Sequence, residues 1–538
     1  MKKPLNLFLL TLLSAISFSL FAQDQNRKDV DYTIKGQIKG ISDTTVYLAN
    51  YYGNKLYYND TTYCDKNGNF SFMGKPFDEQ GKYAIVIPGP KYFDILVAGE
   101  NIEFTTDTLN LVEHLNVKKS VDNKVFFDYM KYINEKRKER SPYEVLANDS
   151  TIPADQKDAA IESIKKLNDE VMAYQNNLVE QYGDRLIGKY ILMTLDVEIP
   201  TEVPEGEEEQ MWRYMWYRNH YWDHCDLTDN RIVRDQTFHK LLEKYVNKVL
   251  PQIPDSISIM MTDLIDSVEP HADIYKYMIH YTTYNAQTSN IMCMDKVMVN
   301  MVDTYYKKGK ATWMTDEKLA ELIEASDKKK PTLCDEIVPN IILPDTTDVN
   351  WKALYDVDAK YTAIVIWEST CGHCKKEMPK LKAVYDEWHD KGLEIYAIGN
   401  DYEREPWKKF IRKHGIGDWI HVSDDPAISN ENPDTVRYLL MTGVTNIESL
   451  NFRNTFDVFS TPKIYLLDED KRVIAKQLNS DQIGQIIARR EGIELPGAND
   501  GPQMIEEFDG DEDEEMDESH QEKADKRTDK KKDTKKRK

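Results

Sequence analysis

Hydrophobic and polar positions follow different periods in successive parts of the chain. From residue 28 to about 106 the period is two: D-Y-T-I-K-G-Q-I-K-G alternates, and V-Y-L-A-N-Y-Y-G-N, K-Y-A-I-V-I-P-G-P and Y-F-D-I-L-V-A-G-E-N-I-E-F are rich in strand formers. Asn67-Gly68 supplies a hairpin signal between two of them. A small all-β domain is predicted. From 108 to 330 apolar residues recur three and four apart, as in E-S-I-K-K-L-N-D-E-V-M-A-Y-Q-N-N-L-V-E-Q-Y and F-H-K-L-L-E-K-Y-V-N-K-V-L, which predicts a mainly helical middle domain. Over 337–495 strand-like runs (Y-T-A-I-V-I-W-E, L-E-I-Y-A-I-G-N) alternate with helical ones (P-K-L-K-A-V-Y-D-E-W-H, P-W-K-K-F-I-R-K-H). They end in a strand, turn and strand, P-K-I-Y-L-L-D-E-D-K-R-V-I-A-K, and a last helix, D-Q-I-G-Q-I-I-A-R. This is the pattern of an α/β domain with a parallel portion and an antiparallel hairpin at its edge, carrying an insertion over 424–455 expected to cover part of the active face. Beyond 496 the pattern is lost: an acidic block precedes a basic one, and residues 496–538 are expected to be disordered.

Composition narrows the functional classes. A chain of 538 residues exceeds a single core, and its formal charge of −23 disfavours a nucleic-acid partner. Residues 1–22 have a basic start at Lys2 and Lys3, an apolar stretch and a small residue at Ala22, the layout of a secretory signal peptide cleaved after Ala22. Retention as a membrane anchor is the less favoured alternative. The expected location is therefore the periplasm, with peripheral envelope contact through the charged tail as a further candidate.

Export changes how the six cysteines read, since six in so long a chain are too few for a disulfide-stapled scaffold. Cys64, Cys225, Cys293 and Cys334 are isolated in sequence; buried thiols are the default for each, a structural bridge between some two of them is the alternative, and the sequence does not choose the two. His220 and His224 stand one helical turn apart, but without the glutamate of H-E-x-x-H or a distant ligand cluster they read as packed or surface polar residues. Neither a metal nor a bound cofactor is expected.

The remaining pair lies in W-E-S-T-C-G-H-C-K-K-E-M-P, residues 367–379. Cys371 is predicted at a helix N-terminus, where unpaired N–H groups stabilise a thiolate, and Cys374 a turn further in, shielded and able to resolve a mixed disulfide. His373 is a candidate for placing positive charge beside Cys371. Glu377 could exchange a proton with Cys374 if burial raises its pKa. Pro379 is expected to kink the helix. In F-S-T-P-K-I-Y-L-L-D, residues 459–468, a cis Thr461-Pro462 bond would present the Thr461 backbone to an extended polypeptide, and Trp367 would form an apolar wall beside Cys371.

These two stretches together resemble the thioredoxin superfamily, and most closely its envelope branch of TlpA and ResA type thiol-disulfide oxidoreductases. The resemblance implies a thioredoxin fold, Cys371 as nucleophile, Cys374 as resolving cysteine, Pro462 as the cis-proline and Glu377 as the active-site glutamate of the C-x-x-C-K-K-E-x-P pattern. The C-G-H-C tetrapeptide has the form seen in protein disulfide isomerases. Thr370 stands where the family often has an aromatic residue, and His373 where it often has proline, so reductase and isomerase directions both stay open. The expected function is dithiol-disulfide exchange on cysteine-containing envelope proteins, with a second protein resetting the pair. A metal knuckle would need a second C-x-x-C or paired histidines, and a peroxiredoxin a P-x-x-x-T-x-x-C setting that the residues before Cys371 do not provide. The main alternative is an envelope protein-binding module whose dithiol is redox-sensing or vestigial.

Overall fold

The computed structural model describes residues 33–72, 80–89, 91–270, 272–424 and 432–493; the leader and the charged tail lie outside them. Eight strands come first: β1 (Ile34–Lys39), β2 (Thr45–Tyr52), β3 (Lys55–Tyr63), β4 (Asn69–Phe72), β5 (Gly81–Ile87), β6 (Lys91–Val97), β7 (Ile102–Asp107) and β8 (Asn116–Lys119). They form two four-stranded sheets, ordered β4-β1-β7-β8 and β3-β2-β5-β6. The period of two in the sequence is the inward alternation of β1, where Ile34 and Ile38 are buried and Lys35 and Lys39 exposed. Gly68, in the turn leading to β4, has φ +74°, and a Cβ there would lie 2.0 Å from the Ile38 carbonyl oxygen, so the turn requires glycine. The strand β8 lies past residue 106, inside the region expected to be helical. Its short N-V-K-K run carries too little alternation to register as a strand.

The middle region is helical: α1 (Val121–Asn148), α2 (Ala154–Tyr182), α3 (Leu186–Leu192), α4 (Glu209–His220), α5 (Gln236–Lys244), α6 (Pro254–Asp266), α7 (Asp273–Thr288), α8 (Asp295–Met301) and α9 (Asp316–Lys329). Ser120 caps α1 by accepting a hydrogen bond from the Asn123 amide at 3.0 Å. One continuous core joins this region to the sheets, from Phe93 and Phe104 through Phe127 to Phe238 and Tyr305.

The C-terminal domain contains β9 (Ile342–Pro344), β10 (Trp351–Ala353), β11 (Tyr361–Trp367), α10 (Gly372–Trp388), β12 (Leu393–Gly399), α11 (Arg404–His414), β13 (Ile420–Ser423), α12 (Pro433–Met441), α13 (Ile447–Leu450), α14 (Phe452–Thr455), β14 (Lys463–Leu467), β15 (Val473–Lys476) and α15 (Ser480–Arg490). Its main sheet is ordered β13-β12-β11-β14-β15. Strands β11, β12 and β13 are parallel, while β14 and β15 complete the sheet antiparallel. Every residue of β11 is buried because both sheet faces are covered: Ala363, Val365 and Trp367 enter one core with α10 and α15, and Ile364 and Ile366 a second on the other face.

Cys293 and Cys334 form a disulfide, with Cα atoms 5.7 Å apart, so at these two positions the alternative of a structural bridge replaces the default of buried thiols. The bridge ties the segment before α8 to the entry of the C-terminal domain. Beside it the buried Lys476 ammonium pairs with Asp295 and donates to the Thr332 carbonyl at 3.0 Å. Cys64 and Cys225 are free and buried.

Candidate active site

The site lies where β11 gives way to α10. Trp367 ends the strand, Glu368–Thr370 form the connection, and Cys371 is the N-cap of the helix. The connection is held from below by Asp401, just past β12. Its carboxylate accepts the Ser369 amide at 3.1 and 3.0 Å and also the Ser369 hydroxyl. Burial, reinforced by nearby Glu368, pushes the Asp401 pKa up against those hydrogen bonds.

The two thiols are free and sit in contrasting surroundings. Cys371 is partly exposed, and its Sγ lies 3.3 Å from the Thr461 carbonyl oxygen. Partial burial is the largest single influence on this thiol and raises its pKa. It is outweighed by hydrogen bonding from the Thr461 side chain, from the Cys374 amide and thiol, and from the His373 amide, so the pKa falls below the ordinary thiol value. Cys374 is fully buried, and burial pushes its thiol up to about 12. One sulfur is thus accessible and readily ionised, and the other is shielded and held protonated.

The Thr461–Pro462 peptide is cis and leads directly into β14. Because β14 pairs antiparallel with β11, the loop at its start meets the end of β11 beside Cys371. Residues 90 positions apart in the chain thereby form one site.

Three side chains differ from the sequence expectation. Trp367 is fully buried, with its ring centroid 4.9 Å from that of Phe410, and is part of the core under the site instead of a wall beside a substrate. A residue that ends a strand covered on both faces points into that core. His373 is exposed, and the hydrogen bond it gives the Cys371 thiol comes from its backbone amide. Glu377 accepts hydrogen bonds from the Ser480 amide at 2.7 Å and the Ser480 hydroxyl at 2.5 Å, at the start of α15. Burial raises its pKa, but the Ser480 bonds and Lys380 prevail and hold it below its ordinary value. The raised pKa expected for a proton shuttle is therefore corrected. Helix α10 continues through Pro379.

The functional environment missed in the sequence is the Asp401–Ser369 contact. Its only linear signal is a polar Asn400-Asp401 pair directly after an apolar strand. His220 pairs with Asp223 at 2.7 Å and stacks on Trp216, whereas His224 meets the Leu195 carbonyl at 2.9 Å. Among the described residues no three His, Cys, Asp or Glu side chains are grouped to hold a metal.

Comparison with known proteins follows the same division of the chain. Residues 334–476 match the AhpC/TSA family, residues 32–126 a domain of unknown function (DUF4369) and residues 154–329 another (DUF5106). The thiol-disulfide oxidoreductase ResA of a Bacillus cereus strain is 26% identical over 153 residues, 28% of this chain and 72% of the relative. ResA of Bacillus anthracis is 31% identical over 93 residues, 17% of this chain and 51% of the relative, so the chain spans about half the length of that protein. Among solved structures, a domain of a possible thiol-disulfide isomerase from Cytophaga hutchinsonii is 33% identical, with 30% of this chain and 95% of that one covered and a TM-score of 0.25. A thioredoxin-like protein from Bacteroides caccae is 16% identical, covering 55% of this chain and 99% of that one with a TM-score of 0.38. The C-terminal domain has a thioredoxin-superfamily fold with ResA-like homologues at low identity, and this homology supports redox chemistry.

Proposed function

We propose that the protein is a thiol-disulfide oxidoreductase acting on exported, cysteine-containing proteins through Cys371 and Cys374. The observation that carries this reading is the asymmetry of the pair: an accessible thiol of lowered pKa at a helix N-terminus, against a buried thiol pushed up to about 12. In the reducing direction the Cys371 thiolate attacks one sulfur of a substrate disulfide. A Cys371–substrate bond forms, the substrate S–S bond breaks, and the departing thiolate takes up a proton. Cys374 then loses its proton and attacks Sγ of Cys371, releasing the second substrate thiol and leaving the enzyme disulfide. Two electrons have passed to the substrate. A second dithiol protein restores the pair, and the same steps reversed oxidise a substrate.

In this reading the Thr461 backbone contacts the incoming substrate, which the 3.3 Å approach of its carbonyl to the Cys371 sulfur supports. Glu377 serves this reading as an anchor between α10 and the start of α15. The periplasmic setting rests on the leader sequence.

The test is the equilibrium reduction potential of the pair in mature protein carrying Cys64→Ser and Cys225→Ser, with the Cys293–Cys334 bridge retained. A value above about −200 mV is that of an oxidant or isomerase, and one below about −250 mV that of a reductase. A pair that does not cycle, in a protein binding its partner as well as the Cys371→Ser/Cys374→Ser variant does, refutes the proposal in favour of a binding module.

A further inference from the structure

Asp401 is a buried carboxylate, 4% exposed, that forms no ion pair among the described residues, and neighbouring Glu368 adds like charge. Burying such a group is costly, and hydrogen bonds must offset the lost hydration. Apart from its own amide, every donor to it belongs to Ser369, itself 7% exposed: the amide at 3.1 and 3.0 Å, and the hydroxyl. The carboxylate thus serves one turn, the connection from β11 to α10. Two peptide planes meet at Glu368 in that turn, and each is rigid. In the first, the Trp367 carbonyl accepts the Asn400 amide at 2.7 Å, and the Glu368 N–H at its other end faces the Cys374 sulfur and favours its thiolate. In the second, the Glu368 carbonyl accepts the Cys371 amide at 3.2 Å, and the Ser369 N–H at its other end is the one that Asp401 holds. Asp401 therefore fixes the plane next to the one that addresses Cys374.

We infer that Asp401 is a positioning residue for the second step of exchange: through Ser369 it keeps the Glu368 amide on the Cys374 sulfur, so that Cys374 can attack as a thiolate. This inference rests on the oxidoreductase reading and deepens it. The second step needs such help, because Cys374 is buried and Glu377, tied to Ser480, is held as an anchor. A hydrogen bond to an ionised group in a buried site is stronger than one between neutral groups, so a fixed amide favours the thiolate where water cannot. The first step draws on different groups. The Cys371 sulfur is served by the His373 and Cys374 amides, which belong to α10, and by Thr461 from the loop before β14. Loosening the connection should therefore slow attack by Cys374 and spare attack by Cys371.

The experiment uses the full chain with Cys64 and Cys225 replaced by serine, the Cys293–Cys334 bridge retained and the Cys371–Cys374 pair reduced. Equimolar dithiobis(nitrobenzoate) is a disulfide that reports both steps. Attack by the Cys371 thiolate breaks its S–S bond, forms a Cys371–thionitrobenzoate bond and releases one coloured thionitrobenzoate anion. Cys374 then loses its proton to solvent and attacks Sγ of Cys371, which forms the enzyme disulfide and releases the second anion; two electrons pass from the dithiol to the probe. Adding Cys374→Ser stops the reaction after the first release and so defines its rate. Asp401→Ala should slow the second release about fivefold and change the first by less than about twofold. Asp401→Asn, whose carboxamide oxygen still accepts the Ser369 amide, should restore most of the second rate. A second release that Asp401→Ala leaves unchanged, an equal slowing of both releases, or an Asp401→Asn protein as slow as Asp401→Ala overturns the inference and leaves the oxidoreductase reading standing. If Asp401→Ala does not fold, Ser369→Ala decides: losing the hydroxyl contact should slow the second release at least about twofold with the first unchanged, and an unchanged second release overturns the inference. Release of fewer than two anions by the parent protein overturns both.

Discussion

With Cys64 and Cys225 replaced by serine and the Cys293–Cys334 bridge retained, Cys374→Ser leaves Cys371 as the free thiol and Cys371→Ser leaves Cys374. Their alkylation rates should differ widely. At pH 7 a thiol with a pKa of about 12 is ionised in roughly one molecule in 10⁵, whereas a thiol at the ordinary value of 9.0 is about 1% ionised. Cys371 lies below that value, so the ratio of thiolate populations is at least roughly 1,000. A more basic thiolate is the better nucleophile, and with a Brønsted slope of about 0.45 a gap of about 3 units returns roughly 20-fold of that. Cys371 should therefore react some tens of times faster, about 45-fold, before the burial of Cys374 reduces its access further. Serine at position 374 keeps a hydroxyl able to donate to the Cys371 thiolate, so the measurement does not remove one of the influences it reads. The assay is the rate of iodoacetamide labelling followed by mass spectrometry from pH 5 to 11. The Cys371 rate should level off below the pH at which an ordinary thiol does and fall as pH drops through its lowered pKa. The Cys374 rate should climb about tenfold per pH unit across the range, as expected while pH stays below the pKa. Rates within tenfold of each other at pH 7, or a faster Cys374, would refute the assignment of attacking and resolving roles.

Thr461→Val should raise the pH midpoint of Cys371 alkylation by removing a side-chain hydrogen bond to the thiolate, whereas His373→Ala, which keeps the amide, should move it less; the reverse order would restore a role to the imidazole. Replacing both Cys293 and Cys334 by alanine opens a bridge across 41 positions, which the chain-entropy description values at about 4 kcal/mol, so denaturant unfolding should show a loss of several kcal/mol in the unit that contains it, and a loss below about 1 kcal/mol would contradict this. Glu377→Ala should cost about 1–2 kcal/mol at pH 7 through the lost Ser480 hydrogen bonds. Because the folded pKa of Glu377 is lowered, its contribution is present above the ordinary carboxylate range and lost as pH falls through the folded value; a stability gap between the two proteins that widens on acidification would overturn the reading.

What the sequence by itself determined is whatever short-range periodicity and covalent proximity encode. The alternation in β1 and the unbroken apolar run of β11 announce a half-exposed strand and a fully covered one, because side-chain direction repeats every two residues and burial follows it. Cys371 and Cys374 are close in any conformation, and a strand-to-helix junction at this point is legible from the change of period at residue 367. Tertiary structure decided what depends on packing between distant segments. The bridge from Cys293 to Cys334 joins two cysteines with no distinguishing sequence around them, and only the docking of the C-terminal domain on the helical region brings them together. Glu377 has the same spacing from Cys374 whether it is a proton shuttle or an anchor, and the arrival of Ser480 from 103 residues away settled its ionisation. Trp367 was ambiguous between wall and core until both sheet faces were covered, and Asp401 acquired its role by lying alongside Ser369 across two parallel strands. An ionisable group's pKa and a side chain's exposure are set by everything within a few ångströms, most of which comes from elsewhere in the chain.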